Sequence, residues 1–283
     1  VLEYLHMKFS LWTEYGALNS KPVFAAFATS LTNAGHTVVY NDNAADVNVI
    51  WSVLWNGRMS QNKAVWQQKK PTIVLEVGGI QRGTTWKVGL NGINRDAYFG
   101  PNNNNSDRYR LLGLSLKPWK DAGKFILICG QHDKSLQWQD MPRMSTWIMN
   151  TIDEIQKYTD LPIVFRPHPR CPLPDIERQY QNVYRDSPVK ITGSYDDFNL
   201  SFKDCHAVIS WSSNPGPLAV INGVPVFTGP SSLAYNVANT DLAKIEYPDK
   251  PNRKQWLNDY AHTEFTIDEI TQGIPLKNLT PML

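Results

Sequence analysis

Paired cysteines, long apolar runs and a strong net charge are all missing from this chain, and each absence removes a class of protein. The three cysteines, Cys129, Cys171 and Cys205, are odd in number and scattered, so they offer neither a disulfide framework nor zinc-ligand spacing, which suits a reducing compartment. No segment approaches the ~20 apolar residues of a membrane span, and the start lacks the charged, apolar and small-residue succession of a signal peptide. A cytoplasmic protein with no membrane partner is expected. Met7 looks like a natural start, with Val1 to His6 a remnant ahead of it. The net charge of +2 is too small to argue for nucleic acid, yet it leaves room for a local basic groove.

Familiar catalytic signatures are absent as well. There is no GxGxxG dinucleotide turn, no P-loop, no GxSxG elbow and no HExxH metal helix. An Asp-x-Asp pair that would hold nucleotide-sugar phosphates through a divalent ion is also missing. Metal-free anion binding at helix N-termini is what remains.

What is present is apolar bulk: 42% of 283 residues, with ten tryptophans, enough for two domains. In the first half, strand patterns at residues 8–12, 36–40, 47–51 and 72–77 alternate with helical spacing at 22–34 and 60–68, which means a parallel, doubly wound sheet. Asn102 to Asn105 can only be an exposed loop or lid, and a short helix near 109–116 precedes the break at Pro118. A second β/α series follows. Strands are expected at 125–129, 163–166, 189–191, 207–211 and 225–227, with helices at 145–158, 195–202 and 217–221. Helical patterns without a strand, at 255–260 and 267–270, end the chain. The expected division is residues 1–120, 121–250 and a tail, 251–283, packing back on the first domain.

The stretch from Cys205 to Tyr235 concentrates the chemistry. An apolar strand runs into Ser212-Ser213-Asn214-Pro215-Gly216 and directly into a helix, a geometry whose free N–H groups favour phosphate. Gly229-Pro230-Ser231-Ser232 makes a second polar loop on the same sheet edge, so that a ligand crevice is expected there. The serines could equally be helix caps. His168, rigid between two prolines after a strand, reads either as part of a capped turn or, with Arg166 and Arg170 beside it, as an anion contact. Gly130-Gln131 would let a loop approach a nucleotide.

Glu76 ends an apolar strand and precedes two glycines. Partial desolvation would make it a useful general base; the other reading is a carboxylate paired with Arg82 or Lys87. Trp51, Trp55 and Arg58 form an aromatic and basic cluster, although tryptophans are more often core. Arg82, Trp86, Lys87 and Arg95 add cations interleaved with an aromatic.

Together, WNGRM (residues 55–59), LEVGGIQRG (75–83), ILICGQHDKS (126–135), FRPHPR (165–170) and ISWSSNPGPLAVINGVPVFTGPSSLAY (209–235) resemble the GT-B glycosyltransferases of the capsule and lipopolysaccharide Kdo-transferase type, and the related glycosyltransferases of bacteriophages. The resemblance covers roughly residues 50–240 and implies an α/β GT-B fold, two Rossmann-like doubly wound domains facing a cleft. It implies that Gly130, Gln131, His168, Ser212 and Ser213 hold a nucleotide-sugar, read as a UDP- or CMP-sugar; Arg166, Asn214 and Gly216 are expected beside them from their own positions, and the missing Asp-x-Asp pair leaves the site without a metal. The family's Glu-Asp-Gly-Phe is Glu76-Val77-Gly78-Gly79 here, so Glu76, or a residue from elsewhere such as Asp96, would be the base. The first half looks most like the phage enzymes, which glycosylate hydroxymethylated pyrimidines in DNA inside the host cytoplasm. Arg58, Arg82, Trp86, Lys87 and Arg95 would then bind the acceptor DNA. Transfer to a capsule or lipopolysaccharide sugar is the alternative, and a non-catalytic nucleotide-sugar or nucleic-acid binding protein the alternative of another class.

Overall fold

Short apolar runs bounded by turn residues make two separate sheets. The computed structural model describes residues 6–173, 176, 178–194 and 196–283, and two compact units arise from them: Val1–Asn104 with Ala261–Leu283, and Asn105–Tyr260.

In the first unit, Lys8–Leu11 (β1), Thr37–Tyr40 (β2), Val47–Trp51 (β3) and Thr72–Val77 (β4) are parallel neighbours. Every residue of β3 is buried, as expected of a strand covered on both faces. Lys21–Asn33 (α1) turns Val23, Phe24, Phe27 and Leu31 into the core and stops before Gly35, whose φ of +83° suits glycine. The helix expected at residues 60–68 is shorter, a 3-10 turn Gly57–Gln61 running into Asn62–Trp66 (α2).

Two strands escape the sequence patterns. Trp86–Leu90 (β5) runs antiparallel to β4, and Glu264–Phe265 runs antiparallel to β5, giving the order Glu264–Phe265, β5, β4, β3, β1, β2. The tail therefore contains a strand. It continues into two short helices, Ile267–Thr271 and Ile274–Leu279, the first opened by a reciprocal Thr266–Glu269 capping box. Ile270, Leu276 and Leu279 join the same core as α1 and β3.

The second unit holds a five-stranded parallel sheet of Phe125–Cys129 (β6), Ile163–Arg166 (β7), Val183–Arg185 (β8), Cys205–Ser210 (β9) and Val226–Thr228 (β10), with Glu264–Phe265 completing the count as β11. Its helices are Asp107–Leu111 (α3), Met144–Ile155 (α4), Pro215–Ile221 (α5) and Lys254–Tyr260 (α6), so the tail helices are α7 and α8. The strand expected at residues 189–191 is an exposed loop instead, and β8 lies upstream of it. No helix occupies 196–202, and Tyr195, where that helix was to begin, lies outside the described residues. Side chains there bond local backbone groups instead: Asp197 Oδ1 accepts from Phe198 N and Ser194 Oγ from Asp197 N, while Asn199 Oδ1 reaches back to Val189 N. Among the described residues no helix is long and apolar enough to cross a membrane.

Candidate functional site

The parallel sheet has the order β10-β9-β6-β7-β8. The chain leaves β6 in one direction for β7 and β8 and returns on the other side for β9 and β10, so the order reverses between β6 and β9. Ligands of open α/β sheets bind beyond the strand C-termini at such a point. Cys129 of β6 stands in register with Ser210 of β9, which brings Gly130-Gln131 against Trp211-Ser212-Ser213. Gln131 is buried and locks the two loops: its Oε1 accepts from Ser212 N at 3.1 Å and Ser212 Oγ at 3.0 Å, while its Nε2 donates to Ser135 Oγ at 3.1 Å.

That arrangement bears on the capping question. The hydroxyl of Ser212 is engaged by Gln131, and Asn214, at the N-cap of α5, has helical backbone angles and makes no side-chain cap bond. Four other hydroxyls, Ser210 Oγ, Ser213 Oγ, Thr228 Oγ1 and Ser231 Oγ, are buried and have no hydrogen-bond partner among the described residues. Ser210 and Thr228 end β9 and β10, in register with one another. A Cβ on Gly216 would lie 2.8 Å from Ser210 Oγ and 3.7 Å from both Ser232 Oγ and Thr228 Cγ2. Each unsatisfied buried hydroxyl costs about 1–3 kcal/mol, so a group of them is what an oxygen-rich ligand would relieve.

Beside the hydroxyls stands Trp211, part-exposed. A Cβ on Gly229 would lie 2.4 Å from its ring, and the ring meets Trp138 edge-on at 6.2 Å, as Trp138 meets Trp147 at 5.5 Å. Gly229 is therefore glycine because an aromatic plane crosses it.

The FRPHPR turn divides into interior and rim. Arg166 is buried, its guanidinium bound to Asp186 at 2.5 Å and to the Asn199 carbonyl. Both ends of the fork are used within the fold, one of them by a carboxylate that is itself 40% exposed, where the sequence reading has Arg166 contacting the donor. His168 sits at the rim, its Nδ1 accepting Arg170 N at 3.1 Å, which leaves the proton of a neutral ring on Nε2. Its ring meets that of His132 edge-on at 5.7 Å. Burial lowers the proton affinity of His132, against the opposing pull of Asp133. Arg170 pairs with Asp196 at 2.5 Å. Cys129 and Cys205 are interior, their thiols pushed up by burial, Cys205 to about 12; Cys171 is part-exposed.

In the first unit, register builds a charged row. Glu76 of β4 is opposite Lys87 of β5, and Lys87 is opposite Glu264 of β11, so the three side chains leave one face of the sheet. Lys87 and Glu264 are 3% and 0% exposed. Burial lowers the proton affinity of Lys87, opposed first by Glu264 and then by Glu76. Glu264 also accepts Gly79 N at 2.7 Å, Ile80 N at 2.9 Å and Thr85 Oγ1 at 2.7 Å. A Cβ on Gly78 would come within 2.2 Å of Thr85 O, so this glycine answers to packing. Glu76 is half-buried, its Oε1 accepting Val77 N at 2.8 Å.

Two of the five expected acceptor residues move indoors. Trp86 packs against Trp51 at 6.1 Å, 7% exposed, and Lys87 is the centre of the charged row; as β5 residues neither presents a surface to a DNA backbone, which corrects that expectation. Arg58, Arg82 and Arg95 are exposed. Arg58 follows β3 and Arg82 follows β4, both at the C-terminal edge of parallel strands. Arg95 follows the reversed β5, where Asn91 N bonds Thr72 O at the start of β4, so it lies at the opposite edge. A cavity of about 320 Å³ between α1 and the tail, lined by His36, Gln272 and Lys277 among others, has its Ser30, Thr271 and Thr280 hydroxyls bonded to helix carbonyls; it lacks the unsatisfied donors of the β9–β10 edge.

Sequence reasoning reached Ser213 and the Ser231 loop and missed Ser210 and Thr228. Both close apolar strands, a position that could have marked them. Nothing in the sequence signals Glu264.

No family model and no curated protein matches the chain. Among solved structures, a Thermosulfurimonas dismutans KpsC β-Kdo 2,7 transferase is similar over 95% of this chain and 99% of that one, with 14% identity and a TM-score of 0.50. A KpsC β-Kdo 2,4 transferase of the same organism covers 96% and 98%, with 11% identity and a TM-score of 0.49. At these identities the likeness is one of fold, and with the two parallel-rich sheets it identifies the chain as a two-domain, Rossmann-like α/β protein of the GT-B fold.

Proposed function

We propose that this protein is a glycosyltransferase that moves a sugar from a nucleotide-sugar to an acceptor hydroxyl. The observation that carries the reading is the group of unpartnered hydroxyls, Ser210, Ser213, Thr228 and Ser231, at the β9–β10 edge of a parallel sheet. Preset hydroxyl donors suit the phosphate oxygens of a nucleotide leaving group, where negative charge grows as the bond to the sugar breaks. Trp211 offers a part-exposed aromatic face beside them for a base or sugar ring. The similarity to the KpsC β-Kdo 2,7 transferase supports sugar transfer.

The acceptor oxygen attacks the anomeric carbon and forms the new glycosidic bond. The bond from that carbon to the phosphate oxygen breaks, its electron pair leaving with the nucleotide. The acceptor proton goes to a carboxylate, for which Glu76 is proposed. The donor is read as a UDP- or CMP-sugar, and the acceptor as a hydroxymethylated pyrimidine in DNA of the phage type, supported by exposed Arg58 and Arg82 at one sheet edge.

The test incubates the protein with UDP- and CMP-sugars, separately with hydroxymethylated DNA and with capsule or lipopolysaccharide oligosaccharides, and follows mass on the acceptors. A sugar on the pyrimidine supports the full reading, and a sugar on the oligosaccharide alone replaces the acceptor. Donor binding without transfer to either would make it a binding protein. No donor binding at all would remove the nucleotide-sugar reading.

A further inference from the structure

A second group of side chains at the same sheet edge lies outside the hydroxyl pocket. β6 and β7 are parallel neighbours with Cys129 in register with Arg166, so the loops that follow them run side by side. The first carries His132 and Asp133; the second turns back at His168, where Cys171 N bonds His168 O at 3.0 Å, and presents Cys171. One ligand atom from each of His132, Asp133 and Cys171 lies within 4.8 Å of the others. His132 Nδ1 is 3.4 Å from Asp133 Oδ1. Imidazole, carboxylate and thiolate thus converge without help from any distant backbone rearrangement.

We propose that His132, Asp133 and Cys171 form a binding site for one divalent transition-metal ion, zinc or cobalt. Nitrogen, oxygen and sulfur from three side chains match the mixed, borderline-soft ligand set that these ions take, with a fourth tetrahedral position left to water or an anionic oxygen. Hard ions such as magnesium and calcium prefer all-oxygen shells and are disfavoured by the sulfur. The loop is preset. Gln131 is held by Ser212 and Ser135, and Ser135 N bonds His132 O at 3.2 Å, so the imidazole does not have to be ordered on binding. Access is open on one side only, since the His132 side chain is buried whereas that of Asp133 is 45% exposed. Metal binding replaces the close contact between His132 and Asp133 and releases the thiol proton to solvent. The inference does not depend on the sugar-transfer reading, because it concerns a different set of side chains and a ligand that can be followed without any reaction.

The full chain supplies its own reporter. Cys129 and Cys205 are buried, so a thiol reagent applied to the folded protein reads Cys171. One equivalent of zinc should slow that labelling by about tenfold or more, and one equivalent of cobalt should give a thiolate-to-cobalt absorption band that zinc abolishes. His132→Asn should lose the protection, and Cys171→Ser should lose the band. Labelling that zinc leaves unchanged in the unmodified protein would overturn the proposal without recourse to any variant, as would a cobalt band that persists in Cys171→Ser.

Discussion

The carboxylate of Glu264 accepts the Gly79 N–H at 2.7 Å, joining residues 185 positions apart. It also faces Lys87 across the β5–β11 ladder. Replacing Glu264 by alanine removes one of the two carboxylates that face buried Lys87 and leaves the Gly79 and Ile80 N–H groups without their acceptor, and a cost of about 3–5 kcal/mol is expected in urea unfolding. Adding Lys87→Met to that variant should recover part of the loss, since the buried charge that Glu264 faced goes with it. Strictly additive losses would contradict the pairing.

Gly216 lets the hydroxyls of the β9–β10 edge stay open. Gly216→Ala places a methyl 2.8 Å from Ser210 Oγ, inside the proposed phosphate site. Binding of a UDP- or CMP-sugar, followed by calorimetry, should weaken by about tenfold or more, equivalent to about 1.4 kcal/mol. Thermal stability should change little, because the Ser210 hydroxyl can rotate away from the methyl while alanine is the better helix former. Unchanged binding would place the nucleotide elsewhere.

At Gly229 the same single carbon meets a ring. Gly229→Ala must displace Trp211, and overpacking of this kind costs about 1–3 kcal/mol. The Trp138–Trp147–Trp211 ladder should register the shift as a changed near-ultraviolet circular dichroism spectrum. An unchanged spectrum would show that the loop, not the ring, gives way.

Acid should loosen the first unit through His36. Burial first, and His6 second, hold its proton affinity below the ordinary value of 6.5. As pH falls through that value the unfolded chain takes up the proton before the folded one does. Stability is therefore fully present above about pH 6.5 and declines below it, towards the lower folded value. The denaturation midpoint should drop between about pH 7 and about pH 5, with a shallower drop in His36→Gln. A midpoint that rises on acidification would reverse the assigned sign.

Much of the parallel sheet is legible in the sequence, because β6, β7 and β9 are apolar runs ending in turn residues. The ligand edge follows from the same runs, since strand ends are where polar side chains cluster. β5 is not legible. Trp86-Lys87-Val88-Gly89-Leu90 carries a lysine held inside between Glu76 and the distant Glu264, and a glycine whose Cβ would lie 2.4 Å from Gly92 O. Arg166 shows the converse difficulty: a cation next to His168 reads as a ligand contact until Asp186 and Asn199, both far along the chain, are seen to absorb it. Local pattern specifies the strands; long-range charge pairing decides which polar side chains are structural.

The first unit takes its last strand from Ala261–Leu283, after the whole of Asn105–Tyr260 has passed. On the ribosome, the N-terminal unit therefore waits with Lys87 lacking its Glu264 neighbour and the β5 edge uncovered while the second unit, contiguous in sequence, can fold first. Order of synthesis and order of completion are opposite in this chain, and a nascent protein halted before Glu264 would carry an exposed sheet edge of the kind that invites chaperones or a second copy of itself.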